Sequence, residues 1–214
     1  MRAPTLLEQR GSHAVLYVAG RVLALAGGGR NSNLGTVERL EPGACAAHGS
    51  TGGVVCCAAA VAAGAWVPGA PAMLLPRHAC GACVVGTTVY VCGGQGSDEA
   101  GRYGSMTSVE CVDVAQDPAR GWRQVAPMAA ARRLHACCAS RDGRFIYCFG
   151  GHVDDARVTA AAERYTVASD TWEPIAPLPR GGGASAVAVG DVIFVFVHNA
   201  GVYRWAPRLN PSVK

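Results

Sequence analysis

His78-Ala79-Cys80, an apolar run ending at Cys92, Gly93-Gly94, then Val109-Glu110, Trp122 and Ala126-Pro127-Met128 form a sentence that this chain writes three times. The next copy runs His135-Ala136-Cys137, Gly150-Gly151, Glu163-Arg164, Trp172 and Ala176-Pro177-Leu178. An earlier one reads His13-Ala14, Gly27-Gly28, Val37-Glu38, Trp66 and Ala70-Pro71-Ala72-Met73. From the His to the first glycine the intervals are 14, 15 and 15 residues, and from Trp to the following Met or Leu they are 7, 6 and 6. The Glu-to-Trp interval falls from 28 to 12 to 9. Fixed strands joined by loops that absorb length produce this pattern, and a repeat at near-constant period decides the architecture before any single motif. A fourth copy begins at Gly183-Ala184 and keeps an intact strand, Val192 to Val197, but His198-Asn199 stands where a glycine pair belongs.

Composition bounds what such a chain can do. Its 214 residues, half of them hydrophobic, suffice for one domain or one array with a buried core. Nineteen basic against fifteen acidic residues leave +4, scattered without a basic run, so a nucleic-acid footprint is absent. The stretch from Gly43 to Pro76 is Ala/Gly-rich and broken by Pro68 and Pro71, too weakly apolar for a membrane span. The N-terminus lacks the apolar core of a signal peptide. Ten cysteines without a secretory signal imply free thiols in a reducing compartment, hence an expected cytoplasmic location. Cys80-Gly81-Ala82-Cys83 with His78 hints at a metal half-site, but in one extended strand the two thiols face opposite ways. The expectation is therefore structural cysteine, no metal and no cofactor.

The run into each glycine pair is apolar on both faces: Phe145, Tyr147 and Phe149 alternate with Ile146 and Cys148. A solvent-faced antiparallel sheet alternates apolar with polar, so these sheets are expected to lie between two others. Gly, Pro and β-branched residues every ten or so positions exclude helices. Four-stranded sheets stacked face to face are the blades of a β-propeller. The residues resemble the kelch repeat, whose pattern is an apolar strand ending in Gly-Gly, a polar loop, Val-Glu, an aromatic two residues after the Glu, and Trp six residues before a Met. Gly93-Gly94, Val109-Glu110, Trp122 and Met128 carry the resemblance best; Tyr165 supplies the aromatic in one copy, against Leu40 and Val112 in the others.

The reading is an all-β, kelch-type β-propeller segment of about three full four-stranded blades plus a partial fourth. Residues 1–9 lead in, repeats span about 10–73, 77–128, 132–178 and 180–205, and 206–214 form a tail. Gly27, Gly28, Gly93, Gly94, Gly150, Gly151, Glu110, Glu163, Trp66, Trp122 and Trp172 are expected to build blades. The resemblance implies five to seven blades in a closed ring, so the short array carries an expectation of self-association. It also implies a loop rim that holds a protein partner. Candidate rim residues are Arg30, Asn31 and Asn33; Gln95, Asp98, Arg102 and Tyr103; His152, Asp154, Asp155 and Arg157; and Arg77, Arg132 and Arg133 from the blade junctions. Arginine grips carboxylates through paired hydrogen bonds, which favours acidic or polar segments as partners. In BTB-kelch proteins such a propeller holds a substrate for a ubiquitin ligase; nine residues before the first repeat leave no room for a BTB domain, so a bare receptor-like or competing fragment is expected. No nucleophile motif, phosphate loop or converging carboxylate pair supports catalysis. Kelch-fold oxidases, epimerases and specifier proteins, and actin-associated scaffolds, are the alternatives.

Overall fold

The computed structural model describes residues 4–29, 32–41, 65–115 and 120–206. The first blade takes β1 (Ala14–Val18), β2 (Arg21–Leu25), β3 (Val37–Glu41) and β4 (Ala65–Ala70) in that order across the sheet. A two-residue strand β5 (Arg77–His78) leads to β6 (Gly81–Val85) and β7 (Thr88–Cys92), then a hairpin of β8 (Gln95–Ser97) and β9 (Tyr103–Ser105), then β10 (Val109–Asp113) and β11 (Arg123–Val125). The second blade is β6, β7, β10 and β11, while β5, β8 and β9 pair into a small sheet of their own. The third blade is β12 (Ala136–Ala139), β13 (Phe145–Phe149), β14 (Ala162–Thr166) and β15 (Thr171–Ile175). Three strands make the fourth: β16 (Ala184–Val189), β17 (Val192–Val197) and β18 (Gly201–Trp205). All pairings between these strands are antiparallel, and the described residues do not close a ring. No helix among them is long and apolar enough to cross a membrane.

Local chemistry makes the hairpins. Between β1 and β2, Ala19 and Gly20 both take positive φ, 49° and 78°, which matches a type I′ turn and the right-handed twist of the flanking strands. Core packing then joins the blades in three layers. Leu23, Leu25 and Val37 of the first blade meet Val89, Val91 and Trp122 of the second. Tyr90, Cys92 and Val109 meet Ile146, Cys148 and Tyr165 of the third. Tyr147 and Phe149 meet Val195 of the fourth and the Trp205 ring, 4.6 and 5.6 Å away. Both-faced apolarity of β7 and β13 thus serves two layers at once. The tryptophans also bond across: Trp122 Nε1 donates to Pro71 O and Trp172 Nε1 to Ala126 O, each 2.8 Å, one blade back.

The strand registers correct two alignments. Ala14 lies opposite Leu25, Gly81 opposite Cys92 and Ala136 opposite Phe149, so His13, Cys80 and His135 are equivalent. His78 sits two residues earlier. The glycine pair of the first blade is accordingly Ala26-Gly27, not Gly27-Gly28. Ala26, Gly93 and Gly150 share φ of 58°, 54° and 62°, and Gly27, Gly94 and Gly151 share 112°, 103° and 100°. The adjacent Gly28-Gly29 disguised the offset. In the fourth blade, counting from Gly183 places Val197 where Phe149 stands, facing onward. Ile193, Val195 and Val197 instead pack back on the third blade, the face inversion that a one-residue slip produces.

Candidate functional site

Three segments that follow the glycine pairs meet at one end of the blades. The Asn33 side chain ties the first to the second, with Nδ2 donating to Gln95 O at 3.2 Å and Oδ1 at 2.9 Å from His78 Nδ1. Ser105 Oγ ties the second to the third, donating to His152 O at 3.4 Å. The hairpin of β8 and β9 stands highest, and Tyr103 near its tip is 61 % exposed. Beside it lies a groove of about 620 Å³ between the first and second blades, whose lining includes Gly28, Ser32, Asn33, His78, Ser97 and Tyr103. A second hollow of about 500 Å³ on the other side of Tyr103 takes Asp98, Arg102, Ser108 and Gln124. Arg30 and Asn31 lie outside the described residues.

Two of the described rim loops pair their own charges. Asp98 accepts from the backbone N–H of Ala100 and Arg102 and from Arg102 Nε, and Asp154 repeats the arrangement with Ala156 and Arg157. These donors, the Arg102 N–H first for Asp98 and the Arg157 guanidinium first for Asp154, hold both carboxyls below their ordinary pKa. Each loop thus neutralises itself within a tight turn.

Arg77 and Arg132 do not belong to the rim, and Arg133 reaches it only through its pair with Asp155. Arg77 and Arg132 are completely buried, and Arg133 is nearly so, bound to exposed Asp155. Arg77 Nη1 donates to Gly93 O and Ser108 O, both 3.0 Å, and its Nη2 binds Glu110. Arg132 does the same with Gly150 O, Ala161 O and Glu163, and Arg10 with Ala26 O, Thr36 O and Glu38. The other carboxylate oxygen takes a backbone N–H three residues before the arginine: Leu7, Leu74 or Ala129. These are repeat-register pairs that lock each blade to its entering segment. The fourth blade has exposed Arg180 but no glutamate in β18 to receive it.

Ser32 and Ser97 lie in the loops expected to form the rim, whereas His78 is a groove residue that the sequence reading passed over. His78 was concealed by the equal His-to-glycine count. The interval from the buried arginine exposes it: three residues to His13 and His135, one to His78.

A different cluster lies between the second and third blades. The Sγ atoms of Cys92, Cys137 and Cys148 fall within 4.8 Å of one another, with His135 alongside. Burial pushes the Cys148 thiol up, yet Cys137, Cys92 and the His135 ring outweigh it and hold that thiol well below its ordinary range. Cys80 and Cys83 do face opposite layers, and burial raises Cys80 to about 11. All described cysteines are free thiols.

Stacked antiparallel four-stranded sheets, tied by inter-blade tryptophans and by an Arg–Glu pair in each of the first three, define a β-propeller segment. Residues 76–129 and 132–179 match the kelch motif. The chain carries kelch repeats over these residues. Beta-scruin of Limulus polyphemus is 35 % identical over 126 residues, covering 58 % of this chain and 13 % of that protein. Human Kelch-like protein 25 is 31 % identical over 130 residues, 57 % of this chain and 20 % of that one. An F-box/kelch-repeat protein of Arabidopsis thaliana is 37 % identical over 70 residues, 33 % and 17 %. The chain spans no more than a fifth of the length of these three relatives.

Proposed function

We propose that this chain is a protein-interaction module that holds an extended, polar segment of a partner across its loop rim. The observation that carries this reading is the groove of about 620 Å³ between the first two blades, with Tyr103 exposed on its wall. An exposed aromatic beside a concave, uncharged surface of mixed apolar and polar lining gives a partner chain both apolar area and hydrogen-bonding groups. Because Arg77, Arg132 and Arg133 are buried and Arg102 and Arg157 are paired within their own loops, recognition among the described residues rests on Ser32, Asn33, His78, Ser97 and Tyr103 and not on carboxylate capture. The kelch-like and F-box/kelch-repeat relatives support the finer form of the proposal, a substrate-receptor-like or competing role toward ubiquitin-ligase adaptors.

Site-specific photo-crosslinking in cells tests it. A photoreactive amino acid at Tyr103 or Ser97 is expected to capture a discrete protein adduct that His78→Ala weakens. The same group at Thr87, in the turn between β6 and β7 at the far end of the blade, is expected to capture none. Equal adducts at both ends, or no discrete adduct at the rim, would sink the reading.

A further inference from the structure

We propose that Cys92, Cys137, Cys148 and His135 form a tetrahedral Cys₃His site for zinc, clamping the second blade to the third. The ligands come from both blades. Cys92 ends β7, whereas Cys137 and Cys148 are directly opposed partners on β12 and β13. His135 stands two residues before Cys137, the interval that returns a side chain to the same strand face, here the face toward the second blade.

The spacing fits the ion. Zinc–thiolate bonds of about 2.3 Å in a tetrahedron put the sulfurs roughly 3.8 Å apart. Cys92 and Cys137 are at 3.9 Å and all three sulfurs fall within 4.8 Å of one another; the His135 ring nitrogens stand outside that group, so the ring must turn inward to complete the tetrahedron. Four ligands of this softness select zinc over the oxygen-seeking cations.

His135 supplies the independent sign. It is 4 % exposed, and neither ring nitrogen has a hydrogen-bond partner. A buried imidazole left unpaired forfeits the hydrogen bonds it makes in water, and coordination gives one of its two nitrogens a partner. The room it occupies is made by glycines. A Cβ on Gly81 would stand 2.7 Å from His135 Nε2 and 2.5 Å from Cys137 Cβ, and one on Gly93 3.1 Å from His135 Cε1. Cys137 is the least buried of the four residues.

The test uses the whole chain, purified with reductant, saturated with zinc and freed of excess by gel filtration. About one zinc per chain is expected, together with the thiolate-to-metal and visible bands of tetrahedral cobalt when the metal-free protein is titrated with Co²⁺. Cys137→Ser and His135→Asn should weaken zinc binding at least about 10-fold, more than loss of an outer-shell partner usually does at the low end. Cys111→Ser and Cys138→Ser, buried thiols outside the cluster, should retain it. Less than about a tenth of a zinc per chain, cobalt uptake without thiolate bands, or full binding by a folded Cys92/Cys137/Cys148 triple serine variant would overturn the site.

Discussion

Glu110 is fully buried, accepts hydrogen bonds from the backbone of Leu74 and Leu75, and binds the equally buried Arg77. Replacing it by Gln leaves a guanidinium without a counter-charge in a dry site. Such half-removals of buried pairs cost about 3–5 kcal/mol, whereas Glu41→Gln, in the half-exposed Arg39–Glu41 pair, should cost less than about 1 kcal/mol. Chemical denaturation of the two variants side by side checks the contrast, and equal midpoints would deny the lock its role. Asp170 offers a test through pH. Its carboxylate accepts from the backbone N–H of Ala126, 2.8 Å away on the second blade, and then from the Tyr165 hydroxyl at 2.7 Å, and these hold its pKa down. A depressed folded value means the contribution is complete above the unfolded carboxylate pKa of about 4 and disappears as pH falls through the lower folded value. Asp170 is solvent-exposed, which screens these contacts, so Asp170→Ala is expected to lose less than about 1 kcal/mol at pH 7 and less still as pH falls toward 2. Thermal melts across that range would show the two proteins converging toward acid; a constant gap would contradict the assignment.

At the scale of strands and turns, the register of the first blade has a direct consequence. Gly27 holds φ of 112° and a Cβ there would meet His13 Cβ at 3.0 Å, while Gly28 is outside the left-handed region with nothing closer than 4.0 Å. Gly27→Ala should cost about 1–3 kcal/mol from backbone strain, and Gly28→Ala should be close to neutral. The reverse ranking, read from denaturation midpoints, would restore the pair that spacing alone suggests. This difference marks how far the sequence could be read. Apolar runs on both faces of β7 and β13 announced stacked sheets, because burial is written in composition. Which glycine needs positive φ is written in backbone geometry, and three consecutive glycines at 27–29 carry no side chain to distinguish them. The same limit hid the site. Polar loops after the glycines were legible as the rim, but an arginine's spacing does not say whether its charge meets solvent or a glutamate 31 or 33 residues onward, as for Arg132 and Arg77. The hairpin of β8 and β9 escaped too, since Gln95-Gly96-Ser97 and Tyr103-Gly104-Ser105 lack the β-branched residues that mark strands.

Among the described residues, the interface that joins blades is left open at both ends. On β1, Val15 and Tyr17 are 57 % and 71 % exposed, and register places Val22, Leu40 and Trp66 on the same face. That face matches the one through which Ala82, Val84, Val89, Val112 and Trp122 pack the second blade on the first. At the other end Val187, Val189, Phe196 and Val202 are 45–60 % exposed on the outer face of the fourth blade. Both surfaces have the chemistry of a blade contact, so a second copy, blade on blade, is the occupant each suits. Magnitudes fix the strength. Six half-exposed side chains would each contribute on the order of 1 kcal/mol on burial, against an association cost of about 4–15 kcal/mol. The gain only just meets the cost, so these 214 residues expressed alone should self-associate weakly, with apparent mass rising with concentration and not as a tight dimer. Gel filtration with light scattering over a hundredfold concentration range is the measurement. Tyr17→Glu with Phe196→Glu is expected to hold the mass at the 22.0 kDa monomer at every concentration while leaving the circular dichroism unchanged. A parent chain that is already monomeric throughout would show that the open faces do not pair with each other.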